Sequence, residues 1–280
     1  MLPILLIAAS LGQTSYPGHL VIAGGGRTTP AIVERALTLA GGPTAHVLII
    51  PQASSRVDAG QRSLGLWRTS GARRVSVLDL RDRGAALAAV KEADLIWFSG
   101  GSQTRLMRSL NQYGLAKAIR ERFRQGATVG GTSAGAAVMS DVMLEANSHA
   151  DGLGANARTA KGLGLWSSVI VDQHFFRRSR FNRLLGAVLG HSDKLGVGID
   201  ESTAVVVQGH CFEVIGKSTV MVMDARKATR LGASDGEPAT ASALQVYILK
   251  AGMKFDLEKG LIPKEKDRQA SKRRADYSVG

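Results

Sequence analysis

The sequence predicts an α/β fold built on a mainly parallel sheet, and three observations carry the prediction. Short aliphatic or β-branched runs alternate with helical candidates. The runs are almost continuously apolar, as strands covered on both faces must be. Glycines or small polar residues follow their ends, where open α/β sheets place their binding loops. A chain of 280 residues is long enough to close one large α/β domain around its core.

In chain order, the strand runs are HLVIAGGG from His19, AHVLIIPQ from Ala45, RRVSVLDL from Arg73, DLIWFSGG from Asp94 and ATVGGTSAG from Ala127. Helical periodicity marks PAIVERALTLA from Pro30 and one long stretch from Gln103 to Gly126. The small residues of AGAAVMSDVML, after the fifth run, are compatible with a helix. Further on, GVGIDESTAVVVQGHCFEVIG reads as two strands with a turn at Gln208–Gly209, and TVMVMDA and SALQVYILKAG continue as strands. No internal repeat or long low-complexity linker interrupts the chain, so residues 19–260 read as a single domain.

The ends differ in character from this domain. Leu2 to Leu11 form an apolar run too short to cross a bilayer as a helix, which excludes stable membrane association by that route. The run resembles the core of an export signal, although no Lys or Arg precedes it. Residues 1–18 are therefore read as a signal or N-terminal extension, giving a periplasmic or extracellular protein, with a cytoplasmic one as the alternative. Residues 261–280 form a basic tail that accounts for part of the net charge of +13. Aromatic residues make up only 5% of the chain and are not interleaved with the basic ones, so no nucleic-acid partner is expected. Cys211 is the only cysteine, which excludes an intrachain disulfide and a cysteine-rich metal site; between His210 and Phe212 it reads as a small core residue.

The chemistry concentrates in the loops. Gly24 to Gly26 lie between a strand and a helix, but the third glycine and the distal acid of a dinucleotide fingerprint are missing. They read as a tight turn bordering the cleft. Gly131 to Gly135 spell G-x-S-x-G after a strand, the pattern of a nucleophile elbow whose small neighbours make room for a strained serine, Ser133. Such a serine needs a base. His174 follows an apolar strand in VIVDQHFF and should reach the same sheet edge; His149, in a small-residue loop, is the reserve, while His19, His46, His191 and His210 read as structural.

Arg177, Arg180 and Arg183 recur every third residue with Arg178 beside them, a spacing that on a helix gathers guanidinium groups suited to carboxylates. An orienting acid is offered by Asp200 or Glu201, which the residues alone leave undecided. In FSGGSQ, a glycine N–H can approach a developing oxyanion without a side-chain clash, joined by the N–H of Ala134, and Gln103 would point into the cleft.

Taken together, FSGGSQ, GTSAGA, DQHF with its arginines, and GIDE resemble the cyanophycinase family of serine peptidases, peptidase family S51, over most of residues 19–225. The resemblance implies a three-layer α/β sandwich, flavodoxin-like or class I glutamine amidotransferase-like, commonly homodimeric. It also implies a Ser–His–Glu triad with no metal or organic cofactor: Ser133 as nucleophile, His174 as base, Glu201 as orienting acid, and Gly101 and Ala134 as oxyanion donors. Family members cleave multi-L-arginyl-poly-L-aspartate (cyanophycin) to β-Asp-Arg dipeptides. Gln103, Asp172, Gln173, Arg178, Arg180 and Arg183 match substrate-pocket positions. The arginines would hold aspartate carboxylates, and Asp172 a substrate guanidinium. One position departs: Ser102 stands where the family commonly has Asp. An aspartyl or isoaspartyl dipeptidase and a non-catalytic polymer-binding protein are the alternatives.

Overall fold

The apolar runs of the first half become the parallel core of a sheet in the computed structural model, which describes residues 18–145, 157–230 and 240–263. The bulk of the expected signal and basic tail, and His149, lie outside the described residues.

Strands β1 (Leu20–Ala23), β2 (His46–Ile50), β3 (Arg74–Val77), β4 (Leu95–Phe98) and β5 (Thr128–Thr132) alternate with helices α1 (Pro30–Leu39), α2 (Ala59–Thr69), α3 (Arg83–Glu92), α4 (Gln103–Gln112) and α5 (Leu115–Arg124). Then come α6 (Ala134–Ala137), β6 (Val142–Leu144), β7 (Thr159–Lys161), β8 (Val169–Gln173), α7 (Phe181–Gly190) and β9 (Leu195–Ile199). The remaining strands are β10 (Thr203–Gln208), β11 (Cys211–Gly216), β12 (Thr219–Asp224), β13 (Thr229–Arg230), β14 (Ala241–Ser242), β15 (Gln245–Lys250) and β16 (Lys254–Asp256).

The central sheet has eight strands in the order β16-β11-β10-β1-β5-β4-β2-β3. From β1 to β3 every ladder is parallel; β10, β11 and β16 extend it antiparallel. One face buries Val21, Val47, Ile49 and Trp97 under α1 and α2, with Trp67 edge-to-face on Trp97 at 5.2 Å. The other buries Ile22, Leu48, Ile50 and Phe98 against α3 to α6 and a second sheet of four strands, β15-β12-β9-β8. Helix α7 covers the far face of that sheet through Leu184 and Val188 on Ile170 and Met223. The layered α/β sandwich is the expected architecture.

Three details differ from the sequence reading. The long helix expected from Gln103 is two helices, because Gly114 adopts φ 72° and turns the chain. The segment after the serine makes one turn of helix before entering β6. GVGIDESTAVVVQGHCFEVIG forms three strands rather than two: β9 belongs to the second sheet and β10 to the central one, with the change of sheet made at Asp200–Ser202, where Ser202 has φ 56°. The predicted turn at Gln208–Gly209 joins β10 to β11.

Candidate active site

The carboxyl ends of β1, β4, β5, β8 and β9 meet at one edge, and the loops bearing Gly24–Gly26, Gly100–Gly101, Ser133, His174 and Glu201 converge there. Ser133 follows β5 with φ 56° and ψ −113°, a conformation that L residues seldom adopt and that turns its Oγ out of the sheet. Its N–H donates to Ala23 O at 3.0 Å. The flanking glycines are demanded by packing: a Cβ on Gly131 would lie 2.7 Å from the Gly135 backbone, and one on Gly135 would lie 2.6 Å from Phe98.

His174 follows β8, also at positive φ (51°), and its N–H donates to Gly24 O at 2.6 Å. Its Nε2 is 2.9 Å from Ser133 Oγ, and its Nδ1 is 2.6 Å from Glu201 Oε1. Glu201 sits in the corner between the sheets, where Ser202 N–H donates to Gly25 O at 2.9 Å and Gly26 crowds the Glu201 Cβ. The neighbouring acid is engaged elsewhere: Asp200 accepts from Arg177 N–H at 3.1 Å and from Ser218 Oγ–H at 2.9 Å. Geometry thus separates the two acids that the residues alone could not.

Burial pushes the pKa of His174 below the usual imidazole value; the hydrogen bond its Nδ1–H donates to Glu201 opposes this, and the positive charge of Arg178 reinforces the lowering. At neutral pH the ring is therefore an unprotonated acceptor for the serine proton. Across the serine, a Cβ on Gly100 would lie 3.4 Å from Ser133 Cβ, and Gly101, at φ 144°, is pressed onto Ala53 O. Among the described residues, neither Gly101 N–H nor Ala134 N–H donates a hydrogen bond. Both remain available to an oxygen beside Ser133.

The arginines are placed differently from the helical stripe that their spacing suggested. Helix α7 begins only at Phe181, and Ser179 at φ 49° belongs to the preceding turn. Arg183, the one helical member, is buried and clamps Asp172 through Nη2 and through Nε at 2.7 Å. Arg180 Nη1 reaches Asp172 Oδ1 at 3.5 Å and both oxygens of Gln173 at 2.5 Å. Burial depresses the Arg180 guanidinium to about 10, against the opposing charge of Asp172. Asp172 is fully buried and already paired, so its carboxylate meets a ligand only by way of these arginines. Gln103 is equally enclosed; its Nε2 donates to Leu144 O at 2.9 Å rather than pointing into the cleft. Arg178 is the exposed cation beside His174.

The sequence reading missed the loop after β2. Ala53 O accepts from Ser102 N–H at 2.8 Å, tying this loop to the Gly101 side of the site. Beyond it lies a cavity of about 280 Å³ lined by Pro51, Gln52, Ser54, Arg56 and Gln61. The polar residues after VLIIP were the available signal.

Comparison with known proteins places the chain among the peptidases. A peptidase from an acI-B1 actinobacterium aligns with 85% of this chain and 96% of its own, with a TM-score of 0.63 and 25% identity. Peptidase family S51 matches residues 20–215, and the chain belongs to that family. Cyanophycinases are among its relatives: that of Nostoc sp. is 38% identical over 232 residues, 78% of this chain and 77% of the relative. That of Geminocystis herdmanii is 38% identical over 239 residues, 80% and 87% of the two chains. The chain is a peptidase, and among the described residues no helix is long and apolar enough to cross a membrane.

Proposed function

We propose that this peptidase hydrolyses cyanophycin to β-Asp-Arg dipeptides, with Ser133 as nucleophile, His174 as base and Glu201 as the acid that orients it. One observation carries the chemistry: the unbroken relay of 2.9 Å from Ser133 Oγ to His174 Nε2 and 2.6 Å from His174 Nδ1 to Glu201. The substrate reading rests on the cyanophycinases at 34–38% identity.

As Ser133 Oγ attacks the scissile carbonyl carbon, His174 Nε2 takes its proton, and the carboxylate of Glu201 stabilises the resulting imidazolium. The carbonyl oxygen becomes an oxyanion held by the N–H groups of Gly101 and Ala134; one such donor is worth roughly 10²–10³ in rate. Collapse expels the amine, which takes the proton from His174. Water, deprotonated by the same imidazole, then releases the acyl group. Arg178 and Arg180 supply the positive charge for aspartate carboxylates, while Asp172, Gln173 and Arg183 hold Arg180 in place and Gln103 braces the β6 side of the pocket.

The test is incubation with insoluble cyanophycin and mass analysis of the soluble products. β-Asp-Arg should accumulate, and Ser133→Ala should release none. Intact polymer in the presence of wild-type protein would overturn the substrate assignment. Ser102 favours a second reading, a dipeptidase for aspartyl or isoaspartyl dipeptides, because the expected carboxylate is absent there. Hydrolysis of small Asp-X peptides in preference to polymer would select it. Failure of a serine-reactive phosphonate to label Ser133 would instead indicate a polymer-binding protein. Homodimerisation, from the family resemblance, and export, from the apolar run at Leu2–Leu11, complete the proposal. Light scattering and N-terminal sequencing of the secreted protein test them.

A further inference from the structure

At the edge of the central sheet remote from the serine, three side chains of different elements meet. Strand β10 runs antiparallel to β1, so its Ala204 end lies beside Ala23 at the site and its Val207 end beside Leu20 at the opposite edge. There the β10–β11 turn presents His210, while Cys211 opens β11 and pairs across the ladder with Asp256 of β16. One donor atom from each of His210, Cys211 and Asp256 lies within 4.8 Å of the others.

The environment orients these groups without using them up. Asp256 is 5% exposed, and its Oδ1 accepts from the N–H groups of Glu258 at 3.1 Å and Lys259 at 2.9 Å. Among the described residues its Oδ2 makes no hydrogen bond, meeting only Lys259 Nζ at 3.8 Å. Cys211 is half-buried at the rim rather than in the core expected for it. His210 is exposed, so its ring can swing toward the other two, and its backbone is fixed by Leu257 N–H donating to His210 O at 2.8 Å.

We propose that His210, Cys211 and Asp256 form a binding site for a divalent ion of the zinc type, independent of the peptidase site. A thiolate and an imidazole exclude the hard cations that take oxygen ligands only, and one nitrogen, one sulfur and one oxygen suit a tetrahedral ion that keeps water in its fourth position. Binding requires the Cys211 thiol to give up its proton to solvent. Affinity should therefore strengthen as pH rises. The bound ion would staple β16, an outermost strand of the central sheet, to the β10–β11 turn.

The experiment uses full-length protein without a histidine tag, titrated with Zn²⁺ by calorimetry and with Co²⁺ by absorption. One ion per chain and a thiolate-to-cobalt charge-transfer band are expected. Cys211→Ala should abolish the band, and both Cys211→Ala and His210→Ala should weaken Zn²⁺ binding at least about tenfold. His174→Ala should leave Zn²⁺ binding unchanged, and Cys211→Ala should leave peptidase activity unchanged. His210 lies in an exposed turn, so its variant reports on binding even if Cys211→Ala misfolds. Absence of saturable binding, binding that survives the His210 substitution, or a cobalt spectrum without the thiolate band would overturn the site.

Discussion

The imidazole of His174 lies directly on Gly25: a Cβ at position 25 would come within 2.4 Å of its Cε1 and Nε2. Gly25 also sits at φ +105°, where side chains are strained whatever the space. Gly25→Ala should therefore push the ring off its line between Ser133 and Glu201. We expect kcat/KM to fall by about 100-fold, the usual scale for a misplacement near 1 Å, with far-ultraviolet circular dichroism retained.

Ser133 and His174 act as a unit in the proposed chemistry, so their losses should not add. Ser133→Ala alone is expected to reduce kcat by about 10⁶-fold, and the double variant with His174→Ala should be no slower. Long incubations of each variant with polymer, at known protein concentration, measure both. A double variant markedly slower than either single one would contradict a shared role.

The pH dependence follows from the lowered pKa of His174. Burial, the largest cause, disfavours the imidazolium, so the ring stays neutral to below the ordinary value of 6.5. The acid limb of kcat/KM should accordingly lie below pH 6.5. Removing the Arg178 charge, which also lowers the His174 pKa, should move that limb upward in Arg178→Gln. For stability the sign is the same: the unfolded chain binds the proton first, so the contribution is present above 6.5 and is lost as pH falls through the folded value. Proton magnetic resonance of the imidazole and thermal melts against pH check the two statements.

Asp172→Ala should destabilise the fold as well as the pocket. It leaves the buried guanidinium of Arg183 without its bidentate partner, and such a loss costs about 3–5 kcal/mol. Replacing the pair by Leu and Met should recover most of that stability while leaving Arg180 held by Gln173 without its counter-charge and catalysis impaired. Calorimetric melting separates these outcomes.

Ser102 caps α4 by accepting from Arg105 N–H at 3.3 Å, a role aspartate fills equally well. Ser102→Asp should thus preserve the fold while placing a carboxylate beside Gly100 and Gly101. Competition between arginine-bearing and uncharged aspartyl peptides should shift about tenfold toward the former, the value of one charge-assisted hydrogen bond.

The parallel half of the sheet was legible because β1, β2 and β4 are almost wholly apolar and buried on both faces, and even the edge strand β3 keeps two valines. The serine elbow was legible for a related reason: its glycines answer to packing against Phe98 and against each other, a constraint written into a short motif. What stayed hidden depends on contacts between distant segments. The choice of Glu201 over Asp200 turns on Arg177 and Ser218 occupying the latter, which the residues themselves do not announce. The second sheet was hidden for the same reason, since β9 and β10 look like consecutive strands until the positive φ of Ser202 sends them into different layers. The arginine spacing suggested a helical face, but the turn through Ser179 disposes of it.

Ser133 hangs from the central sheet and His174 from the smaller one, joined across the layers by a 2.9 Å contact. The reactive geometry is thereby an internal gauge of how the two layers are seated on each other. A slippage too small to alter the helical or strand content would open that gap and, in the proposed mechanism, silence the serine. During gradual heating or compression, activity should fade before any spectroscopic sign of unfolding, making this peptidase a reporter of its own interlayer register.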